Sequence, residues 1–228
     1  FDVSATGGYV NFKARSKWLA DNVMEIEIAP GSREVLIEHT SANPNGPFHV
    51  GRARNAILGD TLVRLNRLFG NNVRAEYYVD DMGKQVGVLA WALQNLSKEK
   101  VDDILNDQDT LNPKWSGKKD HETVRWYQAA QNLRSKAGSE EIEQSIGELV
   151  HASEHGDNSV LSQFESAYKP VLDGMLETLS RLGIDFDTFT KESKFVVDGS
   201  VSSLMERLAN LEIHGVADNG AHYLDLGQ

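Results

Sequence analysis

The hydrophobic pattern between residues 35 and 70 predicts a strand followed by a helix. Residues 35–37 form a short apolar block of the kind that a buried parallel strand shows. After residue 50, apolar side chains recur at spacings of four, three and four residues, which is typical of one helix face. The residues of this face are Leu58, Leu62, Leu65 and Phe69. Gly70 follows them and is predicted to end the helix.

The alternation of strand and helix continues after Gly70. Residues 73–79 are rich in β-forming side chains and have the length of a strand. A second helix is predicted after them, with Asp80 or Asp81 as its cap. Its inner face carries Val86, Leu89, Ala90 and Leu93. Strand–helix units of these lengths build parallel sheets with right-handed crossovers, so the pattern predicts an α/β fold with a parallel sheet.

The chain beyond residue 97 is predicted to be mostly helical. The helices are expected at 122–137, 139–153, 159–182 and around 201–211. Pro170 must restart or kink the third of these, because proline cannot donate to the helical hydrogen-bond ladder. Further strands are predicted at 184–189 and 221–226, and near the N-terminus a strand at 7–12 precedes a short helix at 16–24.

The segment between the first strand and the first helix predicts a phosphate-binding site. Pro44, Gly46 and Pro47 cannot continue either element and force an ordered turn. The helix then starts with His49 and Gly51 at its N-terminus, where free N–H groups and the helix dipole attract anions. Gly51 also allows the backbone to approach a ligand, because it has no Cβ.

Composition and charge narrow the classes of function. The 228 residues suffice for one large domain or two small ones, and no apolar run is long enough to span a bilayer. The absence of cysteine excludes a disulfide framework and a cysteine-based zinc site, which fits a reducing cytosol. The net charge of −11 gives no basic footprint of the kind that nucleic-acid-binding proteins often show, which counts mildly against nucleic acid as a partner of this piece and does not exclude it.

The turn and helix start resemble the HIGH signature of class I aminoacyl-tRNA synthetases, and residues 41–51 resemble arginyl-tRNA synthetases in particular. The signature region consists of Ala42, Asn43, Pro44, Asn45, Gly46, Pro47, Phe48, His49, Val50, Gly51 and Arg52. Residues 78–85 are a second block that resembles the same family. Arg52 stands where the signature usually has a second histidine, and a guanidinium suits phosphate binding at every relevant pH.

The resemblance implies a Rossmann-like, HIGH-type nucleotide-binding domain with a mostly helical insertion. Residues 1–30 would be the tail of an appended N-terminal domain, and 31–96 the first half of the catalytic fold. Residues 97–228 would be the helical connective insertion and the start of the return to the sheet. The second half, with its second signature, and the anticodon-binding domain are expected after Gln228. The isolated chain is therefore expected to be inactive.

The activity implied by the resemblance is that of an arginine–tRNA ligase, which activates L-arginine with ATP and transfers it to tRNA(Arg). His49 and Arg52 would be the catalytic residues, which stabilise charge at the α-phosphate. The implied ATP contacts are Pro47, Phe48, His49, Gly51, Arg52 and Asn55. Glu38 would bind the arginine guanidinium, and Ser41 and Asn43 its backbone groups. Mg²⁺ would accompany ATP without a metal site of the protein's own, and a monomeric cytoplasmic protein with no membrane contact is expected.

The residues alone leave other interpretations open. His49 could be a structural histidine, Glu38 an exposed carboxylate at the end of a strand, and the pair Asp80–Asp81 a helix cap with solvated charges. Residues 191–194 look like the second class I signature, but their position favours a surface charge cluster. The whole chain could also be a non-catalytic fragment or paralogue that binds a nucleotide or an amino acid.

Overall fold

The computed structural model describes residues 1–22, 31–105, 117–218 and 220–227. Strands and helices alternate in the first part of the chain, and helices dominate afterwards, as the hydrophobic pattern predicts. In chain order the elements are β1 (Asp2–Thr6), β2 (Tyr9–Lys13), α1 (Ser16–Asn22), β3 (Glu34–Glu38), α2 (Val50–Leu68), β4 (Asn72–Val79), α3 (Lys84–Asn95), α4 (Lys98–Leu105), α5 (Lys119–Arg134), α6 (Glu140–Glu154), α7 (Asn158–Arg181), β5 (Thr188–Lys191), α8 (Ser193–Val197), α9 (Ser200–Ala209), β6 (His214–Val216) and β7 (His222–Leu224).

Strands β3, β4 and β5 form a parallel sheet in that order, which confirms the predicted α/β arrangement. Glu38 at the end of β3 lies opposite Glu76, and Val79 at the end of β4 lies opposite Lys191. Because parallel strands finish at the same edge of a sheet, the segments that follow them share one edge. Open α/β sheets bind ligands at this carboxyl edge, and the predicted site residues lie there.

Helix α2 forms where it is predicted, but it buries a different face. The buried residues are Ala56, Gly59 and Val63. The apolar face of the sequence pattern is largely exposed: Leu58 54%, Leu62 53%, Leu65 44% and Phe69 57%. The cause is close approach, because a Cβ on Gly59 would lie 2.2 Å from the His39 Cβ. Small residues therefore face the turn after β3, and the larger ones are turned away from it.

Strand β3 is also less buried than the apolar block 35–37 predicts. Val35 and Ile37 pack against Val63 and the neighbouring strand, whereas Leu36 is 53% exposed. Within the described residues β3 pairs only with β4, so it is an edge strand there. The prediction of a fully buried strand is therefore wrong for this part of the sheet.

A layer of helices covers one face of the sheet and contains most of the core. Helices α3, α5, α6 and α7 pack together, and α7 continues as one helix through Pro170 rather than restarting there. The buried side chains of α7 include Phe164, Tyr168, Leu172, Met175 and Leu179. The short helix α4 was not predicted, because residues 97–105 are mostly polar. It adds buried Val101 and Leu105 to the core.

A buried ion pair fixes the start of α5 against α7. The Lys118 ammonium group lies 2.8 Å from Asp120 Oδ2 and donates a hydrogen bond to the Gly174 carbonyl at 2.7 Å. Asp120 is fully buried, and a Cβ on Gly174 would lie 2.6 Å from the Asp120 carboxyl carbon. One turn further along α5, the Val124 side chain would be 3.1 Å from a Cβ placed on Gly46. The helical layer thus supports the turn of the signature region.

Several predicted boundaries differ from the structure. The strand expected at 184–189 corresponds to β5, which begins four residues later. The strand expected at 221–226 corresponds to the short β7, which pairs with β6. The strand expected at 7–12 is replaced by the hairpin β1–β2, with Gly7 and Gly8 in its turn. Gly83, rather than an aspartate, precedes α3 as its cap. The predicted helix 16–24 is seen as α1, and its last two residues lie outside the described ranges.

No helix in the described ranges is both long enough and apolar enough to cross a bilayer.

Candidate functional site

The chain turns sharply after β3 in a strained conformation. Thr40 and Ser41 have φ angles of 68° and 37°, in the left-handed region that residues other than glycine rarely adopt. Buried His39 anchors the turn, because its N–H donates to the Glu76 carbonyl at 3.2 Å and its Nδ1 lies 3.0 Å from Thr40 Oγ1. Burial lowers the pKa of His39, although Asp60 and Glu38 act in the opposite direction. Backbone strain of this kind concentrates at functional sites.

The turn and the start of α2 enclose a cavity of about 380 Å³. It is lined by Thr40, Ala42, Asn43, Asn45, Gly51, Arg52, Asn55 and Gln85. Four of the residues predicted to bind a substrate or to act in catalysis line this cavity: Asn43, Gly51, Arg52 and Asn55. A fifth, Ser41, lies in the chain between two lining residues. The lining is mainly polar, as a site for a charged ligand requires.

Arg52 reaches across the cavity to the loop before it. Nη1 donates to the Asn43 carbonyl and Nη2 to Asn45 Oδ1, both at 3.1 Å. A guanidinium has further N–H donors beyond these two, so the group can hold the loop and still meet an anion. The family's more usual histidine could not span both acceptors in this way.

Gln85 is a site residue that sequence reasoning missed. Its Oε1 accepts hydrogen bonds from the side-chain amides of Asn43 at 3.1 Å and Asn45 at 2.6 Å. It lies in the first turn of α3, so β4 and α3 bring it to the cavity from the second strand–helix unit. The signal was its place at the end of the second block of family resemblance, residues 78–85.

His49 lies at the entrance of α2 rather than among the residues that line the cavity. It is the N-cap of the helix, and its Nδ1 accepts a hydrogen bond from the Gly51 N–H at 3.1 Å. The ring is exposed, with Nε2 on the side away from this bond. Gly51 allows the arrangement, since a Cβ there would lie 3.0 Å from the imidazole.

The proline and aromatic residues of the signature region shape the loop. Pro44 and Gly46 are buried, and Pro47 is half-buried. Phe48 packs against the main hydrophobic core. Neither Pro47 nor Phe48 lines the cavity of about 380 Å³, so the structure places them beside it.

Glu38 lies at the end of β3 and is exposed. Its carboxylate accepts a hydrogen bond from the Ser41 hydroxyl, which also accepts one from the Tyr78 N–H at 3.1 Å. None of the ion pairs found among the described residues includes Glu38. The carboxylate is therefore available to a cationic ligand.

A second acidic group lies at the same edge of the sheet. Asp80 follows β4, Glu192 follows β5, and the two side chains are hydrogen-bonded. Burial raises the pKa of both, and repulsion from Asp81 adds to the rise. The contact between the two side chains raises the pKa of Glu192 further, whereas it acts in the opposite direction on Asp80. Beside them Asp81 accepts hydrogen bonds from the N–H and hydroxyl of Ser193, at 2.9 and 2.6 Å.

The interpretation of residues 191–194 as a surface charge cluster is therefore wrong for its two central residues. Ser193 is buried, and Glu192 is half-buried. Glu192 and Tyr78 also line a second cavity of about 440 Å³. The remaining lining residues are Met82, Glu154, Phe195, Val196, Ser200, Val201 and Leu204. Sequence reasoning missed this group because β5 brings it to the edge from more than 100 residues away along the chain.

Metal-ligating side chains do not cluster in the part of the chain that the structure describes. No group of three or more His, Cys, Asp or Glu residues there could hold an ion.

Comparison with known proteins shows the family of the chain. The family described as tRNA synthetases class I (R), catalytic domain, matches residues 16–218. The chain belongs to the class I arginyl-tRNA synthetase family. The predicted resemblance is thereby confirmed.

Members of this family are among the similar sequences. The arginine–tRNA ligase of Methanocella arvoryzae is 41% identical over 231 residues, which cover 98% of this chain and 39% of that protein. The arginine–tRNA ligase of Methanothermobacter thermautotrophicus is 35% identical over 231 residues, which cover 98% of this chain and 38% of that protein. The chain thus spans about two fifths of the length of these relatives.

Solved structures of the arginyl-tRNA synthetase family have the same fold. The arginyl-tRNA synthetase of Thermus thermophilus matches with a TM-score of 0.61 and 27% identity, over 95% of this chain and 33% of that one. The enzyme of Plasmodium falciparum, at 15% identity and a TM-score of 0.53, shares the fold alone. The predicted Rossmann-like class I fold is confirmed.

Proposed function

We propose that the full-length protein containing this chain is an arginine–tRNA ligase. In the first step a carboxylate oxygen of L-arginine attacks the α-phosphorus of ATP, the bond to the bridging oxygen breaks, and pyrophosphate leaves. A terminal hydroxyl of tRNA(Arg) then attacks the carbonyl of arginyl-adenylate and releases AMP. The observation that carries the proposal is the cavity that Asn43, Gly51 and Arg52 share at the N-terminus of α2, in a chain of this family.

The ATP side of the site is the start of α2. We assign charge stabilisation at the α-phosphate to His49, Arg52 and the helix N-terminus, since no side chain needs to act as a nucleophile. Gly51 leaves room for the nucleotide, Asn55 lies one turn further along, and Pro47 with Phe48 fixes the loop. Mg²⁺ would enter as the magnesium complex of ATP, in which the phosphate oxygens supply most of its ligands.

The arginine side of the site is the carboxyl edge of the sheet. Glu38 binds the guanidinium in a charge-assisted hydrogen bond, worth about 1.5–3 kcal/mol. Ser41 and Asn43 hold the backbone groups of the amino acid. The hydrogen-bonded pair Asp80–Glu192 adds negative potential at the same edge, which favours a cationic substrate.

The same proposal assigns each part of the chain to a domain of the full-length protein. Residues 1–30 are the tail of an appended N-terminal domain, 31–96 the first half of the catalytic fold, and 97–228 the helical connective insertion with the return to the sheet. Strand β5, which joins the sheet after the four helices described in the insertion, supports this division. The full-length protein acts as a monomer in the cytoplasm, which light scattering and localisation of a tagged protein can test.

The decisive experiment is ATP–pyrophosphate exchange by the full-length protein, with and without tRNA. Exchange should depend on arginine and not on lysine, and His49→Ala should reduce it by about 100-fold. His155→Ala, which changes an exposed histidine of the insertion, is the matched control and should leave it unchanged. The isolated 228-residue chain should show no exchange. Absence of arginine-dependent exchange in the full-length protein would instead indicate a non-catalytic binding module.

A further inference from the structure

Tyr77 is fully buried in β4, and its hydroxyl contacts both backbone groups of one residue in the signature loop. It accepts a hydrogen bond from the Ala42 N–H at 3.1 Å and donates one to the Ala42 carbonyl at 2.7 Å. The ring is fixed by an edge contact with Phe186 and by stacking on Phe189, at centroid distances of 5.1 and 5.8 Å. Burial raises the pKa of Tyr77 to about 12, so the phenol keeps the proton that it donates.

The segment that Tyr77 holds is under strain. Thr40 and Ser41 immediately precede Ala42, and both have positive φ angles. A residue in such a conformation persists there only where surrounding contacts determine it. The Tyr77 hydroxyl supplies two of those contacts, from a rigid strand in the core.

We propose that Tyr77 is a positioning residue for arginine recognition, which holds the turn so that Ser41 and Asn43 present their polar groups to the amino acid. The inference rests on the function proposed for this site and adds a residue that does not line its cavity. Tyr77 acts through Ala42, the residue that lies between Ser41 and Asn43.

The proposal predicts an asymmetry between the two substrates. The ATP side depends on His49 and Gly51 at the start of α2, and the Tyr77 hydroxyl has no hydrogen bond to either residue among those found in the described chain. Loss of the hydroxyl should therefore disturb the arginine side first. A merely structural role would instead lower stability or kcat without separating the two KM values.

The test is Tyr77→Phe in the full-length protein, which keeps the ring and removes the hydroxyl. We expect the KM for arginine in pyrophosphate exchange to rise by about 10-fold, because two hydrogen bonds are lost, while the KM for ATP changes less than about 2-fold. Tyr127→Phe is the matched control, since its hydroxyl accepts a bond from Gln131 within α5, at 2.8 Å. Equal increases in both KM values, or an unchanged arginine KM, would overturn the proposal.

Hydrogen–deuterium exchange gives a second result that does not depend on activity. In the wild-type protein the Ala42 amide should exchange slowly, and Tyr77→Phe should speed exchange in residues 40–43 while Tyr127→Phe does not. A fast Ala42 amide in the wild type would overturn the proposal even if the variant failed to fold. If the wild type lacked arginine-dependent activity, the proposed function would fail, and this measurement would still decide whether Tyr77 fixes the turn.

Discussion

The guanidinium of Arg52 donates a hydrogen bond to the side chain of Asn45, with 3.1 Å between Nη2 and Oδ1. A second bond from Nη1 to the Asn43 carbonyl makes Arg52 a bridge between α2 and the loop before it. Arg52, the residue that departs from the usual family signature, thus holds the loop of the site in place. Its geometry depends on the planar fork of arginine, which lysine does not possess.

Arg52→Lys should therefore impair activity although it keeps the positive charge. A lysine ammonium group cannot serve both loop acceptors with the same geometry, and the loss of one charged hydrogen bond costs about 1.5–3 kcal/mol. We expect kcat/KM for arginine in pyrophosphate exchange to fall by about 10-fold or more. Arg54→Lys, an exposed change in the same helix, is the control. Equal activity of the two variants would show that Arg52 acts only as a charge.

Buried His39 should make the protein less stable in acid. Its pKa is lowered by burial, whereas the unfolded chain titrates near the ordinary value of 6.5. Below that pH the His39 imidazole binds a proton in the unfolded state but stays neutral in the folded state. The free energy of unfolding therefore falls as the pH drops from about 6.5 toward the lowered pKa. One such group contributes at most about 1.4 kcal/mol per pH unit.

The pH effect can be measured as the thermal midpoint of the full-length protein between about pH 5 and 7. His39→Asn keeps an amide near Thr40 but does not titrate, so its midpoint should depend less on pH than that of the wild type. His155→Asn, an exposed change, should retain the wild-type dependence. Parallel curves for the wild type and His39→Asn would assign the acid sensitivity to other groups.

Gly174 should tolerate no side chain. A Cβ there would lie 2.6 Å from the Asp120 carboxyl carbon, so Gly174→Ala must displace the buried pair Lys118–Asp120. We expect a loss of about 3 kcal/mol or more, because separation of a buried ion pair leaves charges unpaired. The control is Gly147→Ala in α6, where a Cβ meets nothing within 4 Å. That change should stabilise the helix by up to about 1 kcal/mol, and destabilisation of both variants alike would contradict the prediction.

The sequence predicts the type and order of the elements better than their burial. The period of Leu58, Leu62 and Leu65 correctly predicts a helix, but it does not show which side faces the sheet. The side that faces the sheet is the one that carries Gly59, because the lack of a side chain there lets α2 approach His39. The spacing of large apolar residues does not identify a buried helix face that consists of small residues.

The signature part of the site was predictable, whereas its partners from distant segments were not. Asn43, Gly51 and Arg52 are close in the chain and meet in one cavity, as the turn and helix start indicate. Gln85 and Glu192 come to the same edge of the sheet through α3 and β5. Their positions depend on strand pairing across many residues, which local composition does not reveal.

Glu38→Gln tests most directly the claim that this edge selects a cationic amino acid. The measurement is the KM of the full-length protein for arginine and for ATP in pyrophosphate exchange, with Glu34→Gln at the other end of β3 as the matched control. Loss of the carboxylate charge should raise the KM for arginine by about 10- to 100-fold and leave that for ATP nearly unchanged. Equal effects on both substrates, or none on arginine, would contradict the account.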